Sequence, residues 1–283
     1  MFRALLILLA LSADASDPPI ILGALEEIHG RYVDEPPHRA VRVAFQKKGA
    51  EWQSFPTQCA EPSCLKTIAS EYPHTVTWTI TRSGRSLGQV TAATPKGYEL
   101  YSAVGLQNIT SKRPVPAQDT PILRPLIVNS QPYFKDPDSW KPSHPSPEVT
   151  AAARLAFRKK FPETSNCTSR DPENPKSWQY RDADMKFNKA YSSIHNWSVV
   201  EILLAGNRCI AVPDDAFVSQ WFAVTPSGEA IFLDQGMWLV DAGDYDNDGK
   251  SELVFAIDRA NEGGYEIYYD DFQKHAAFQF SYH

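Results

Sequence analysis

Positive charge is in short supply in this chain. Lys and Arg number 28 against 34 Asp and Glu, a formal charge of −6. No basic stripe breaks that balance, so nucleic acid and anionic membrane surfaces, which need clustered cations, are poor partners. Long apolar runs are lacking too. Beyond the first residues no segment approaches the ~20 apolar residues of a membrane-spanning helix. Metal and protease signatures of the zinc type are also missing. "CAEPSC" gives a C-x4-C spacing from Cys59 to Cys64, but no second cysteine pair or histidine pair accompanies it. The seven histidines are scattered and form no H-E-x-x-H motif.

What is present begins with an export pattern. Arg3 opens the chain, "ALLILLALSA" follows as a short apolar stretch, and "ADA" ends at Ala15 as a small-x-small cleavage site. Residues 1–15 therefore read as a signal peptide and Ser16 as the first mature residue. No cysteine follows the cut, so a bacterial lipid anchor is not indicated. The expected location is secreted or periplasmic. In such an oxidising compartment Cys59, Cys64, Cys167 and Cys209 suggest two disulfides. Of the three pairings, Cys59–Cys64 and Cys167–Cys209 keep each bridge within one expected domain. Asn108, Asn166 and Asn196 stand in glycosylation sequons, which matter only in a eukaryotic secretory route.

The hydrophobic pattern predicts a mainly β or α+β chain with two β-rich domains. Residues 16–112 form the first. "AVRVAFQ", "KKGA" and "EWQSFP" read as strand, turn and strand, and "TVTWTIT", "RSGR" and "SLGQVTAA" as a second hairpin. "SCLKTIASEY" reads as a short helix stopped by Pro73. Prolines then recur from 114 to 147, which predicts a linker over 113–146. It would pack partly through Leu123, Ile127, Tyr133, Phe134 and Trp140. The second domain, 147–283, opens with the clearest helix, 147–160. Ser146 suits its N-cap, Pro147 its first turn, Glu148 its start and Arg158, Lys159 and Lys160 its end. After it come short strands, among them "WSVVEILLA", "MWLVDAG" and "SELVFAID", spaced as an antiparallel meander that the helix would cover.

The stretch "DYDNDGKSE", Asp244 to Glu252, crowds four carboxylates between two apolar runs. Calcium takes six to eight oxygen ligands, often from carboxylates and a backbone carbonyl. Asp244, Asp246, Asp248 and Glu252 fall in phase to face one centre, and the carbonyl of Lys250 can fill the gap. Asn247 is out of phase, and Gly249 sits where the chain must bend. An EF-hand would need flanking helices and an acid at its twelfth position, which here is Phe255. The longer stretch "DAGDYDNDGKSELVFAI" resembles instead the calcium loop of FG-GAP and VCBS-type repeats, as in the integrin alpha-chain propeller. That family carries D-x-D-x-D-G-x-x-D/E on a short loop between strands. The resemblance implies a structural calcium ion held by Asp244, Asp246, Asp248, Lys250 and Glu252. It covers one copy of the unit, residues 241–257, and does not imply a propeller; "DRANEGGYE" is at best a decayed echo.

Other signals look catalytic, and a plainer account suits each better. "GRSLG", with Ser86 at its centre, matches a nucleophile elbow, but the residues after it do not read as a helix. His195 beside Trp197 reads as a packed or surface histidine. Asp214, Asp215, Asp270 and Asp271 read as solvated turn acids, although paired carboxyls can hydrolyse glycosides. Most of the seven Trp and twelve Tyr fall in apolar strands, where core packing accounts for them. The expectation is an exported, non-enzymatic binding or assembly protein with one structural calcium site and a protein or glycan partner. The alternative is a secreted hydrolase with no recognisable catalytic motif.

Overall fold

The computed structural model describes residues 19–28, 37–57, 70–95, 104–112, 124–132, 135–162, 164–166, 176–178, 180–204 and 219–281. The expected signal peptide, all four cysteines, Asp214 and Asp215 lie outside them.

Seven strands come first: β1 (Ile21–Ile28), β2 (His38–Lys48), β3 (Glu51–Ser54), β4 (Thr75–Arg82), β5 (Arg85–Ala93), β6 (Leu106–Ile109) and β7 (Leu126–Asn129). Six of them run β1-β7-β4-β5-β6-β2, and β2 pairs back onto β1. The sheet therefore closes into a six-stranded antiparallel barrel, with β3 attached to β2. Closure removes the free edges that an open sheet would present. Alternation puts Val76, Trp78 and Ile80 of β4 into the core, while Thr75 and Thr77 stay exposed. Ser83 and Gly84 both have positive φ, the geometry of the tightest hairpin turns, and join β4 to β5. "GRSLG" thus lies on a hairpin, with Ser86 exposed on a strand rather than on a strand-to-helix turn.

The Pro-rich segment does more than link. No proline interrupts residues 126–131, so "LIVN" is free to donate, and β7 inserts between β1 and β4. Further on, Lys141–Pro142 forms a short strand, β8, in the next sheet.

The helix α1 (Pro147–Lys160) stands where the sequence puts it. Ser146 Oγ accepts from the backbone of Val149 at 3.3 Å, and Ala153 and Phe157 are buried. It covers a sheet of order β14-β13-β12-β11-β8, built from β11 (Met185–Ser192), β12 (Ser198–Leu204), β13 (Gln220–Val224) and β14 (Ala230–Gln235). Phe157 meets Tyr180 and Phe222 there. Two short strands, β9 (Thr164–Asn166) and β10 (Lys176–Trp178), pair with each other.

A last antiparallel meander comprises β15 (Met237–Gly243), β16 (Glu252–Arg259), β17 (Glu262–Tyr269) and β18 (Lys274–Ser281). It is the middle layer. Val254, Ile267 and Phe278 share a core with the barrel, whereas Leu253, Phe255 and Tyr268 pack with Val199, Trp221 and Ala223 of the helix-covered sheet. Burial on both faces is why "ELVFAI" reads as a continuous apolar run instead of alternating. The same contact buries the outer face of β2. Arg42 pairs with Glu26 at 2.7 Å and lies 4.4 Å from the centre of the Phe280 ring. Residues on both sides of the Pro-rich segment therefore share one core.

Candidate metal centre

The acidic loop connects β15 to β16, so it sits at one end of the middle layer. Its position is set from the barrel side. Tyr245 is wholly buried in the barrel core, and its carbonyl accepts from Asn129 Nδ2 of β7 at 2.8 Å. The backbone N–H of Asp244 donates to the carbonyl of Lys135 at 2.6 Å. These contacts fix the first two loop residues before any carboxylate is considered.

The carboxylates then fold inward onto the loop's own backbone. Asp244 accepts from the N–H groups of Asp248 and Gly249, both at 3.0 Å. Asp246 accepts from Asp248 at 3.2 Å, and Glu252 from Tyr245 at 2.7 Å. Asn247 and Gly249 have φ of 62° and 91°, which make the bend possible. One oxygen each of Asp244, Asp246 and Glu252 lies within 4.8 Å of the others. Calcium–oxygen distances of about 2.3–2.6 Å put opposite ligands of one ion about 5 Å apart, so the three fit a single centre. The donors are all hard oxygens, as calcium prefers. Asp248 is not one of these three carboxylates. Asp248 accepts from the Lys250 N–H at 2.8 Å, and the Lys250 ammonium meets Asp271 at 2.7 Å and Asp270 at 3.5 Å.

Electrostatics favour a cation here. Burial pushes the Glu252 carboxyl well above the usual carboxylate range, and Asp246, Asp248 and Asp244 push it the same way. Burial likewise raises Asp244, with Asp246 and Asp248 adding to it against the Gly249 and Asp248 N–H groups. One ammonium offsets part of this charge. Lys47 of β2 contacts the Asp246 carboxylate, its Nζ lying 5.3 Å and 5.4 Å from the ring centres of Trp52 and Tyr269.

A second group of polar residues braces the loop's far end. Ser251 Oγ donates to Asp136 Oδ1 at 2.7 Å, and the Ser251 N–H donates to Asp138 Oδ2 at 2.9 Å. Asp138 Oδ1 also meets His195 Nδ1 at 2.7 Å on an exposed turn. Sequence reasoning missed Asp136 and Asp138 because "KDPDSW" lies in the Pro-rich stretch read as linker. Asp270 and Asp271, on the turn before β18, pair with Lys250 and Lys274.

Beside this group lies a cavity of about 110 Å³, lined by Ser83, Arg124, Asp136, Trp140, Tyr191 and Asp241 among others. Asp241 Oδ1 accepts from the Ser83 N–H at 2.8 Å. Burial pushes its carboxyl up to about 6, helped by Asp136 and opposed by the Ser83 N–H and Arg124. A larger cavity of about 490 Å³ adjoins it and shares Arg124, Tyr191 and Leu239. A third holds Ser143 and His144 beside Phe187 and Tyr191. The carboxylates of the acidic loop itself do not line these three cavities. Comparison with protein-family models, with curated proteins and with solved structures gives no match for this chain.

Proposed function

We propose that this is an exported, non-enzymatic binding or assembly protein whose acidic loop holds one structural calcium ion. The observation that carries the reading is the convergence of Asp244, Asp246 and Glu252 within 4.8 Å. Two of the three are buried and mutually repelling. When bound, the ion supplies positive charge that compensates these carboxylates; it performs no chemistry on a substrate. Asp248 and the Lys250 carbonyl complete the ligand set that the FG-GAP-like pattern implies. The chain's own residues position the site. Asn129 holds the Tyr245 carbonyl, Lys135 holds the Asp244 N–H, and Asp136 and Asp138 hold Ser251. The loop thereby joins barrel, Pro-rich segment and middle sheet. Its separation from the cavities supports a bracing role for the ion.

Calorimetric titration of the chelated protein with calcium tests the reading. Binding with a Kd of ~0.1–1 mM is expected for an extracellular-type site. Absence of heat, together with identical melting in calcium and in chelator, would reject it.

One observation favours the hydrolase alternative. Asp136 and Asp241 line the same cavity, and burial raises both. Perturbed carboxyls in a cleft are candidates for acid–base work. Release of reducing ends from polysaccharide substrates, lost in Asp241→Asn and Asp136→Asn, would replace the binding reading by this one.

A further inference from the structure

The two adjoining cavities form a groove between the barrel and the two sheets. Its lining comes from distant parts of the chain: Arg124 before β7, Trp140 before β8, Tyr191 on β11 and Trp238 on β15. The larger cavity, about 490 Å³, is in the size range of small-molecule sites. Its aromatic faces are only partly buried. Tyr191 also stacks on Trp221 with ring centres 6.4 Å apart, and the Arg124 guanidinium lies 5.7 Å from the centre of the Trp238 ring. Both contacts hold the rings in place before any ligand arrives, which lowers the ordering cost of binding.

The charges in the groove nearly cancel. Arg82, Arg124 and Lys189 face Asp136, Asp241, Glu201 and Asp258. Neither a strongly cationic nor a strongly anionic ligand is favoured by that balance. Planar charged groups of both signs instead suit hydroxyls, each of which can donate to a carboxylate and accept from a guanidinium or ammonium. The indole Nε1 of Trp140 has no hydrogen-bond partner among the described residues, whereas the Asp241 carboxylate already accepts from the Ser83 N–H and lies against the Tyr245 hydroxyl. An unmet donor beside a carboxylate acceptor is again a pair that a hydroxyl-rich molecule serves.

We infer that this groove binds an uncharged glycan, its sugar rings laid on Trp238 and Tyr191 and its hydroxyls taken by Arg124, Asp241, Lys189 and Glu201. The inference rests on the binding-protein reading for the fate of the ligand, but it is independent of calcium. Aromatic side chains suit such a ligand because they offer an apolar face to the C–H side of the ring.

The test uses the full chain on an array of neutral oligosaccharides and their sulfated or uronic-acid counterparts, read with calcium and with chelator. The strongest neutral ligand is then measured by calorimetry. Retention of a neutral glycan is expected, weakened about tenfold or more by Trp238→Ala, as for a buried aromatic anchor. Tyr191→Ala is the second variant, should Trp238→Ala fail to fold; an unchanged Tm qualifies either one. No retention of any neutral glycan, preference for the charged counterparts, or an affinity that both variants leave unchanged overturns the inference. Cleavage of the retained glycan supports the ligand class and overturns the non-enzymatic reading instead. Glycan retention intact while the calcium titration shows no heat and the melting is unchanged rejects the metal site alone.

Discussion

Lys47, on the second strand of the barrel, sets its ammonium against the carboxylate of Asp246, in a loop 199 residues further along the chain. The contact is largely shielded from solvent, with side-chain exposures of 13% and 3%. It ties barrel to middle sheet and places a protein cation where a metal ion would compete. Lys47→Met should therefore act in two directions. In chelator the variant loses the charge-assisted hydrogen bond and should be less stable by ~1.5–3 kcal/mol. Its calcium affinity should rise, because one competing charge a few ångströms away is worth ~1–4 kcal/mol between the dielectric of water and that of a protein surface. Calorimetry on both proteins decides it: equal calcium affinities would show that the ammonium and the ion do not share Asp246.

Calcium itself should raise the melting temperature. At millimolar calcium and a Kd of ~0.1–1 mM, mass action gives ~0.4–1.4 kcal/mol. Asp246→Ala should abolish this response, since Asp246 is one of the three convergent oxygens. Differential scanning in calcium and in chelator is the measurement. A full response in Asp246→Ala would remove Asp246 from the ligand set.

Asn247 separates backbone geometry from ligation. Its φ of 62° lies in the left-handed region, which asparagine and glycine tolerate better than alanine. Asn247→Ala should lose ~1–2 kcal/mol in calcium and in chelator alike, whereas Asn247→Gly should be nearly neutral. Both variants should keep the calcium response, because Asn247 is out of phase with Asp244, Asp246, Asp248 and Glu252. A response lost in Asn247→Gly would make this side chain a ligand.

Local pattern made much of this legible. The hairpin around Ser83 and Gly84, the capped helix from Pro147 and the strand–loop–strand around Asp244 all follow from features a few residues apart. What stayed hidden depends on contacts between distant segments. Nothing local says that β7 closes a barrel between β1 and β4, since that depends on pairing across the whole first hundred residues. Likewise, Asp136 brings an oxygen to Ser251 from 115 residues away, and its proline neighbours read as linker. In "DRANEGGYE" one glycine is required by packing: Gly264 has φ of 143°, and a Cβ there would stand 1.9 Å from the carbonyl oxygen of Phe278 on the paired strand.

Acidity should stabilise the protein through Asp241. Its carboxyl is pushed up to about 6 by burial, against ~3.9 in an unfolded chain. Between these values the folded state keeps a proton that the unfolded state has lost. This contribution is fully present below the unfolded pKa and is lost as pH rises through about 6. A shift of roughly two units sets a ceiling of ~3 kcal/mol. Glu266 behaves alike, pushed up to about 7 by burial and by Asp234. Asp241→Asn keeps an oxygen for the Ser83 N–H and removes the charge. Measured in saturating calcium, so that the loop carboxylates stay compensated, the variant should match wild type near pH 4 and exceed it by ~1–3 kcal/mol at pH 7.5. Its remaining slope between pH 4 and 7 should shrink when Glu266→Gln is added, leaving the part that half-buried Asp136 supplies. Denaturant unfolding across that range is the measurement. If Asp241→Asn is as destabilised at pH 7.5 as at pH 4, the buried carboxylate is not the source of the pH dependence.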